Sequence, residues 1–251
     1  MWQSAIRTLA HLHRVPPSSV NLQRYGPPAH FYNRQIKTFR AISTSQAYTR
    51  DLDTDVAVGK LPHFDDVLAF FSNPATQPKD RATLIHGDYK IDNLVFDKQG
   101  SEVIGILDWE MSTIGHPLSD LSNLLMPFLT SSSSSPSLSA SPPTSAPRPT
   151  PAFALGATEG LPTRASLLAL YATEAGYTPE KHEVLWADAF AMFRLSVIMQ
   201  GIAARYARRQ ASSATARENG EMRGGFAIAA WAIIRMIQQG GVAPELQKAR
   251  L

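Results

Sequence analysis

Apolar residues recur first at the spacing of a helix. Over residues 2–14, Ile6, Leu9, Ala10, Leu12 and His13 fall on or near one face, which predicts an amphipathic helix stopped by Val15-Pro16-Pro17. A loop follows through Gly26-Pro27-Pro28. The stretch "HFYNRQIKTFRAISTSQAY", residues 30–48, sets Phe31, Ile36 and Phe39 on or near one face and predicts a second helix. A shorter one, "FDDVLAFFSN" at 64–73, ends at Asn73-Pro74. From 83 to 109 the period changes. Short β-leaning runs flank polar segments, and "DKQG" at 97–100 has the residues of a reverse turn between two strands. Helical spacing returns over 163–175, over a long stretch near 180–210, and over about 221–239. Within the long stretch, "AFAMFRLSVIMQGIAARY" is apolar all round, the pattern of a buried helix. The predicted class is α+β, mostly helical, with a small β-hairpin packed among helices.

One segment breaks this patterning. Residues 130–151, "TSSSSSPSLSASPPTSAPRPTP", are low-complexity Ser/Pro sequence that cannot bury enough apolar surface to offset its ordering entropy, which predicts a disordered insertion. Elsewhere the 251 residues, 44% hydrophobic and 18% charged, have the composition of a soluble globular chain with a sizeable core. Zero cysteine excludes disulfides, thiolate catalysis and Cys-based metal sites. A net charge of +3 suits an acidic ligand such as a phosphate ester, and no nucleic-acid-binding motif accompanies it. No run approaches the ~18 apolar residues of a membrane span. "FAIAAWAIIRMI" at 226–237 is short, carries Arg235, and is predicted to be a core helix. The first fifty residues contain several Arg and no acid before Asp51, a pattern shared by a mitochondrial transit peptide and by a folded amphipathic start.

The chemistry concentrates in "LIHGDYKIDNLVFD" (84–97) and "VIGILDWE" (103–110). Asn93 and Asp108 are hard oxygen donors expected on neighbouring strands of a hairpin, the partial ligand set that Mg2+ completes with water and substrate phosphates. Asp88, on the loop before the same strand, could accept a proton from an attacking hydroxyl. Lys90 could face a transferring phosphoryl group. D-x-K-x-x-N followed by a second strand ending in an acid is the order of the catalytic loop and metal-binding Asp of kinases, with His86-Gly87-Asp88 in place of His-Arg-Asp. Two other possibilities use the same residues: a polar hairpin stabilised by Asx turns, and a metal-dependent phosphohydrolase built on His86, Asp88 and Asp108. On the long helix, Arg194, Gln200 and Arg205 could serve packing or a substrate pocket. The Trp residues at 109, 186 and 231 are expected in the core.

"HGDYKIDNLVF…VIGILDWEMSTIGHPLSDL" resembles the aminoglycoside phosphotransferase-like family of small-molecule kinases. It resembles most the branch found as the kinase-like part of certain acyl-CoA dehydrogenase family members. "RYGPPAHFYNRQIKTF" (24–39), "GLPTRASLLALYATEAG" (160–176) and "FRLSVIMQGIAARYARR" (193–209) extend the similarity over nearly the whole chain outside the insertion, although Phe39 replaces a usual Trp. The resemblance implies a protein-kinase-like C-lobe over 1–251 that uses Mg2+ and ATP. It implies Asp88 as catalytic base, with Lys90 and His86 in the catalytic loop, His86 more as a brace than as a reactant. Asn93 and Asp108 would hold Mg2+ beneath the ATP phosphates. Asp120 would be a structural acid bonding back to the loop, and Glu110 an aid to metal or substrate. The acceptor would be a small-molecule hydroxyl, with a hydroxyacyl thioester as one candidate.

The same resemblance predicts a gap. Kinases of this shape clamp ATP with a small lobe that supplies a glycine-rich cover and a strand lysine paired with a helix glutamate. The chain opens at once in large-lobe helices, and "VAVGK" at 56–60 mimics such a strand too near Asp88 to serve. The expectation is a missing N-lobe, with a small lobe or dehydrogenase domain contributed by a neighbouring chain or a missing exon. The alternative is a catalytically inactive kinase-like fragment that binds a metabolite or a protein. A cytoplasmic location is the default, with mitochondrial or peroxisomal placement entering through the acyl-CoA association.

Overall fold

The structure, a computed structural model, describes residues 1–131 and 149–240. In chain order the helices and strands are α1 (Trp2–Arg14), α2 (Phe31–Ala47), α3 (Phe64–Ser72), β1 (Thr83–Ile85), β2 (Leu94–Phe96), β3 (Val103–Ile106), β4 (Thr113–Gly115), α4 (Leu118–Leu124), α5 (Met126–Leu129), α6 (Arg164–Ala175), α7 (Lys181–Ala207), α8 (Ala216–Glu221) and α9 (Arg223–Gln238). They fall into two compact units. The first takes Met1–Tyr32, Lys79–Ser131 and Thr150–Ala187; the second takes Asn33–Pro78 and, of the other described residues, Pro149 and 188–240.

The first unit is built on leucine packing around α1. Ala5, Ile6, Leu9 and Ala10 are fully buried on one helical stripe, and Val15 turns extended ahead of Pro16, which ends the helix. α1 lies against α6 and β1, and its stripe joins Leu118, Leu121, Leu124, Leu167 and Tyr171 in one core. Each such leucine contributes roughly 1.5–3 kcal/mol by leaving water. Trp2 closes the outer end, edge-on to Phe128 at 5.0 Å and to Phe153 at 5.5 Å.

Where one hairpin is predicted, the unit holds two antiparallel pairs. β2 pairs with β3 around the expected 97–100 turn, with a bulge between Val95 and Phe96. β1 pairs instead with β4, Ile85 opposite Thr113, and brings the start of the polar loop beside the segment that follows the second acid. The expected disordered stretch also shortens. Thr130 and Ser131 are buried, and the Thr150 N–H donates to Thr130 O at 2.9 Å. The rest of that stretch, 132–148, lies outside the described residues.

The second unit is helical apart from a β-bridge, and aromatic rings form its centre. Phe71 meets Phe190 at 5.1 Å and Phe193 at 5.7 Å, and Phe39 and Phe64 also lie against Phe193. α3 packs on α9. The predicted 221–239 helix is α9, preceded by the separate short α8. Contrary to the expectation that no run approaches a membrane span, α7 alone among the described residues is long and apolar enough to cross one, and 67% of its most apolar window is buried, as in a core helix.

Candidate active site

All seven residues singled out for chemistry lie in the first unit. The loop that leaves β1 turns sharply at Gly87, where φ is +85°. A Cβ there would sit 2.3 Å from Met111 O, so only glycine fits the turn and the close approach of the two segments. The turn is held from beneath by Asp120 in the first turn of α4. One carboxylate oxygen accepts the His86 N–H at 2.7 Å and the other accepts the Gly87 N–H at 2.9 Å. Asp120 is fully buried, where a charge must be met by donors. A third contact comes from His13 of α1, whose Nε2 lies 3.5 Å from the same carboxylate, while Tyr171 of α6 bonds His13 Nδ1 at 2.7 Å.

His86 is buried with both ring nitrogens engaged. Nδ1 accepts the Asp88 N–H at 3.2 Å, and Nε2–H donates to Leu107 O at 2.7 Å. With both ring nitrogens bonded inside the fold, His86 couples the loop to the strand exit that carries Asp108. Trp109 covers the His86 ring edge-on at 4.9 Å. It is 43% exposed rather than in the core, because its Nε1–H reaches back to Ile106 O and the ring lies along the surface. Trp186 is buried as expected, whereas Trp231 is half-buried and stacks on His63.

The Asp88 carboxylate is partly open to solvent and receives several donors. Asn93 Nδ2 donates to its backbone carbonyl at 2.9 Å and to its Oδ2 at 3.1 Å. Lys90 Nζ sits 2.9 Å from Oδ2, and Asn123 Nδ2 is 3.4 Å from Oδ1. Asn93 is buried at the end of a 3-10 turn immediately before β2. Its backbone carbonyl accepts the Leu107 N–H at 2.8 Å, so the segment ending in Asp108 is fastened directly to it. Asn93 and Asp108 are thus neighbours just outside the strand ends and not within the strands. Asp108 is exposed in the left-handed region at φ 60°, a conformation Asp tolerates. Glu110, in the 3-10 turn that follows, is exposed, and so is Asp92.

Sequence patterning missed three contributors. Asn123 follows Asp120 by one helical turn on leucine-rich α4 and also donates to Tyr89 O at 3.0 Å, so the pair of polar residues three apart was an available signal. His13 bonds residues far away in sequence and left none. His116, before α4, accepts the Leu118 N–H at Nδ1 and donates from Nε2 to Lys79 O; burial outweighs that bond and pushes its pKa down to about 4. Lys60, by contrast, lies in a loop of the second unit paired with Asp65.

The Asn93 amide oxygen and the Asp108 carboxylate, brought to one end of the hairpin, are donor types that a hard cation takes together with water and phosphate. Among the described residues no group of three or more His, Asp or Glu could hold a metal by itself. The donor set therefore fits Mg2+ shared with a phosphate substrate better than a resident protein-caged ion.

The phosphotransferase enzyme family model matches residues 1–141. Acyl-CoA dehydrogenase family member 11 of Rattus norvegicus is 29% identical over 210 residues, which cover 82% of this chain and 24% of that protein. Acyl-CoA dehydrogenase family member 10 of Mus musculus is 29% identical over 230 residues, covering 90% and 19%. The chain thus spans about a quarter or less of the length of these curated relatives. A crystal structure from Ralstonia eutropha, assigned as an aminoglycoside phosphotransferase, matches with a TM-score of 0.69 at 27% identity over 93% of this chain and 64% of that one.

Proposed function

The chain belongs to the phosphotransferase enzyme family, and on that premise we propose that it carries the catalytic loop for Mg2+- and ATP-dependent transfer of phosphate to a hydroxyl on a small molecule. One observation carries the proposal. Asn93 joins Asp88 through its side chain and the Asp108 segment through its backbone, so a base and two cation ligands form a single assembly.

In this proposal Asp88 accepts the proton of the acceptor hydroxyl, and its partners Asn93 and Asn123 fix the carboxylate's direction. Lys90, now on Asp88, turns to the phosphate when substrate is present. Asn93 Oδ1 and the Asp108 carboxylate would hold Mg2+, which would supply neutralisation of phosphate charge. His86 and Asp120 position the loop, and Glu110 stands at the edge of the site for metal or acceptor. A hydroxyacyl thioester is the proposed acceptor, on the strength of the relatives' names as acyl-CoA dehydrogenases. The proposal includes a partner, a small lobe or dehydrogenase domain on another stretch of polypeptide, that covers the nucleotide.

A second possibility, a catalytically silent metabolite- or protein-binding module, is favoured by a different observation. None of the described strands carries a lysine, so none offers the lysine–glutamate pair that clamps ATP in kinases. Release of ADP from Mg-ATP in the presence of 3-hydroxyacyl-CoA separates the two. Turnover that depends on the acceptor supports the transferase, and its absence with a small lobe added in trans supports the silent module.

A further inference from the structure

The second unit holds a cavity of about 750 Å3 that the phosphotransfer proposal does not use. Two helical stripes form its walls. On α2, Arg40 and Thr44 lie four residues apart with Tyr48 just past the helix end, and on α3 Phe64 and Leu68 have the same spacing. Lys60, from the strand-like "VAVGK", lines it from the connecting loop.

That loop is held in a fixed shape. Arg209 pairs with Asp51 and Asp53, Asp51 Oδ1 accepts the Asp53 and Thr54 N–H groups at 3.0 and 3.1 Å, and Arg50 and Ala57 pair as a β-bridge. Gln200, fully buried, accepts from Ser43 Oγ at 2.6 Å and donates to Gly59 O at 2.9 Å, tying loop and α2 together. The packing role expected as one option for Gln200 is the one these bonds describe. The cavity is therefore preformed, and its volume lies within the roughly 300–1,000 Å3 of small-molecule sites.

Its chemistry is two-sided. Arg50 and Lys60 are neutralised by Asp55 and Asp65, whereas Arg40 has no ion-pair or hydrogen-bond partner among the described residues. Phe64 and Leu68 give an apolar wall, and Tyr48 leaves a ring 79% exposed at the cavity. We propose that this cavity binds an amphiphilic anion: a small molecule whose carboxylate or phosphate pairs with Arg40 and whose hydrocarbon arm lies along the Phe64–Leu68 stripe. The site stands independently of the chemistry at Asp88.

Titrating the chain with decanoate, decyl phosphate and 1-decanol, each below its aggregation concentration, tests this by calorimetry. Both anions should bind at least tenfold tighter than the alcohol, and the tighter of the two identifies the head group. Arg40→Gln should weaken the anions at least tenfold and leave the alcohol unchanged. Ala69→Trp, an exposed position on the cavity wall, should block all three without lowering the melting temperature. Equal binding of alcohol and anions, no binding at all, or anion binding untouched by both variants would overturn the proposal.

Discussion

Asp88 combines two features that usually exclude each other, partial exposure to solvent and a carboxylate fixed by Asn93, Lys90 and Asn123. The proposed role as base needs both, access to the acceptor and a set direction. In an assay that registers turnover, Asp88→Asn should lower kcat by ~10²–10⁴ while leaving the melting temperature nearly unchanged. Undiminished turnover would remove Asp88 from the base role. His116 gives a prediction about stability. Its folded pKa of about 4 lies below the ordinary 6.5, so between these values the unfolded chain binds the extra proton. Its contribution is full above pH 6.5 and is lost as pH falls toward 4, about 3 kcal/mol in all. Urea unfolding from pH 7 to 4.5 should show that loss and His116→Gln should flatten it; identical slopes would assign the acid sensitivity elsewhere. Glu183 behaves differently. Burial works to raise it, yet hydrogen bonds from the Glu180 N–H, Tyr177 and the Lys79 N–H outweigh burial and hold it below the ordinary range.

At the scale of elements, the His86–Asn93 loop depends on contacts that a linear pattern carries unevenly. The β2–β3 hairpin was legible because its turn residues and β-leaning runs are adjacent in sequence. β4 was not, since three residues, Thr113–Gly115, form a strand through pairing with distant β1 and not through local preference. This is why two short ladders replace the one expected, and why Asn93 and Asp108 sit at strand ends. The Gly87 turn is the element's weakest tolerance. Gly87→Ala should destabilise the chain by ~1–3 kcal/mol or more, because φ +85° and the approach to Met111 O both resist a Cβ. A melting temperature equal to that of the parent would show that the two segments can separate freely.

For the whole molecule, the kinase-like assignment was legible in one local cluster whose residues carry their chemistry in a fixed order. The bracing of Asp120 by His13 was not, because partners 107 positions apart leave no periodic trace. The two ends of the Ser/Pro stretch meet in a way its composition does not signal: Thr130 and Thr150 are joined by backbone and hydroxyl hydrogen bonds. Since those residues already meet, replacing 132–148 with a short Gly/Ser linker should change stability by less than about 1 kcal/mol, loop length entering only logarithmically. A large loss in urea unfolding would assign those residues a folding role. The most direct test of the central claim is the Mg2+ dependence of ATP binding, read as a shift in melting temperature for the parent chain and for Asp108→Asn, alone and with a small lobe from a family member added. Mg-ATP at a hundredfold excess over Kd should stabilise the parent by ~2.7 kcal/mol, with the effect lost on omitting Mg2+ or on changing Asp108. A chain that shows no Mg2+-dependent shift under either condition, or the same shift without the Asp108 carboxylate, would contradict it.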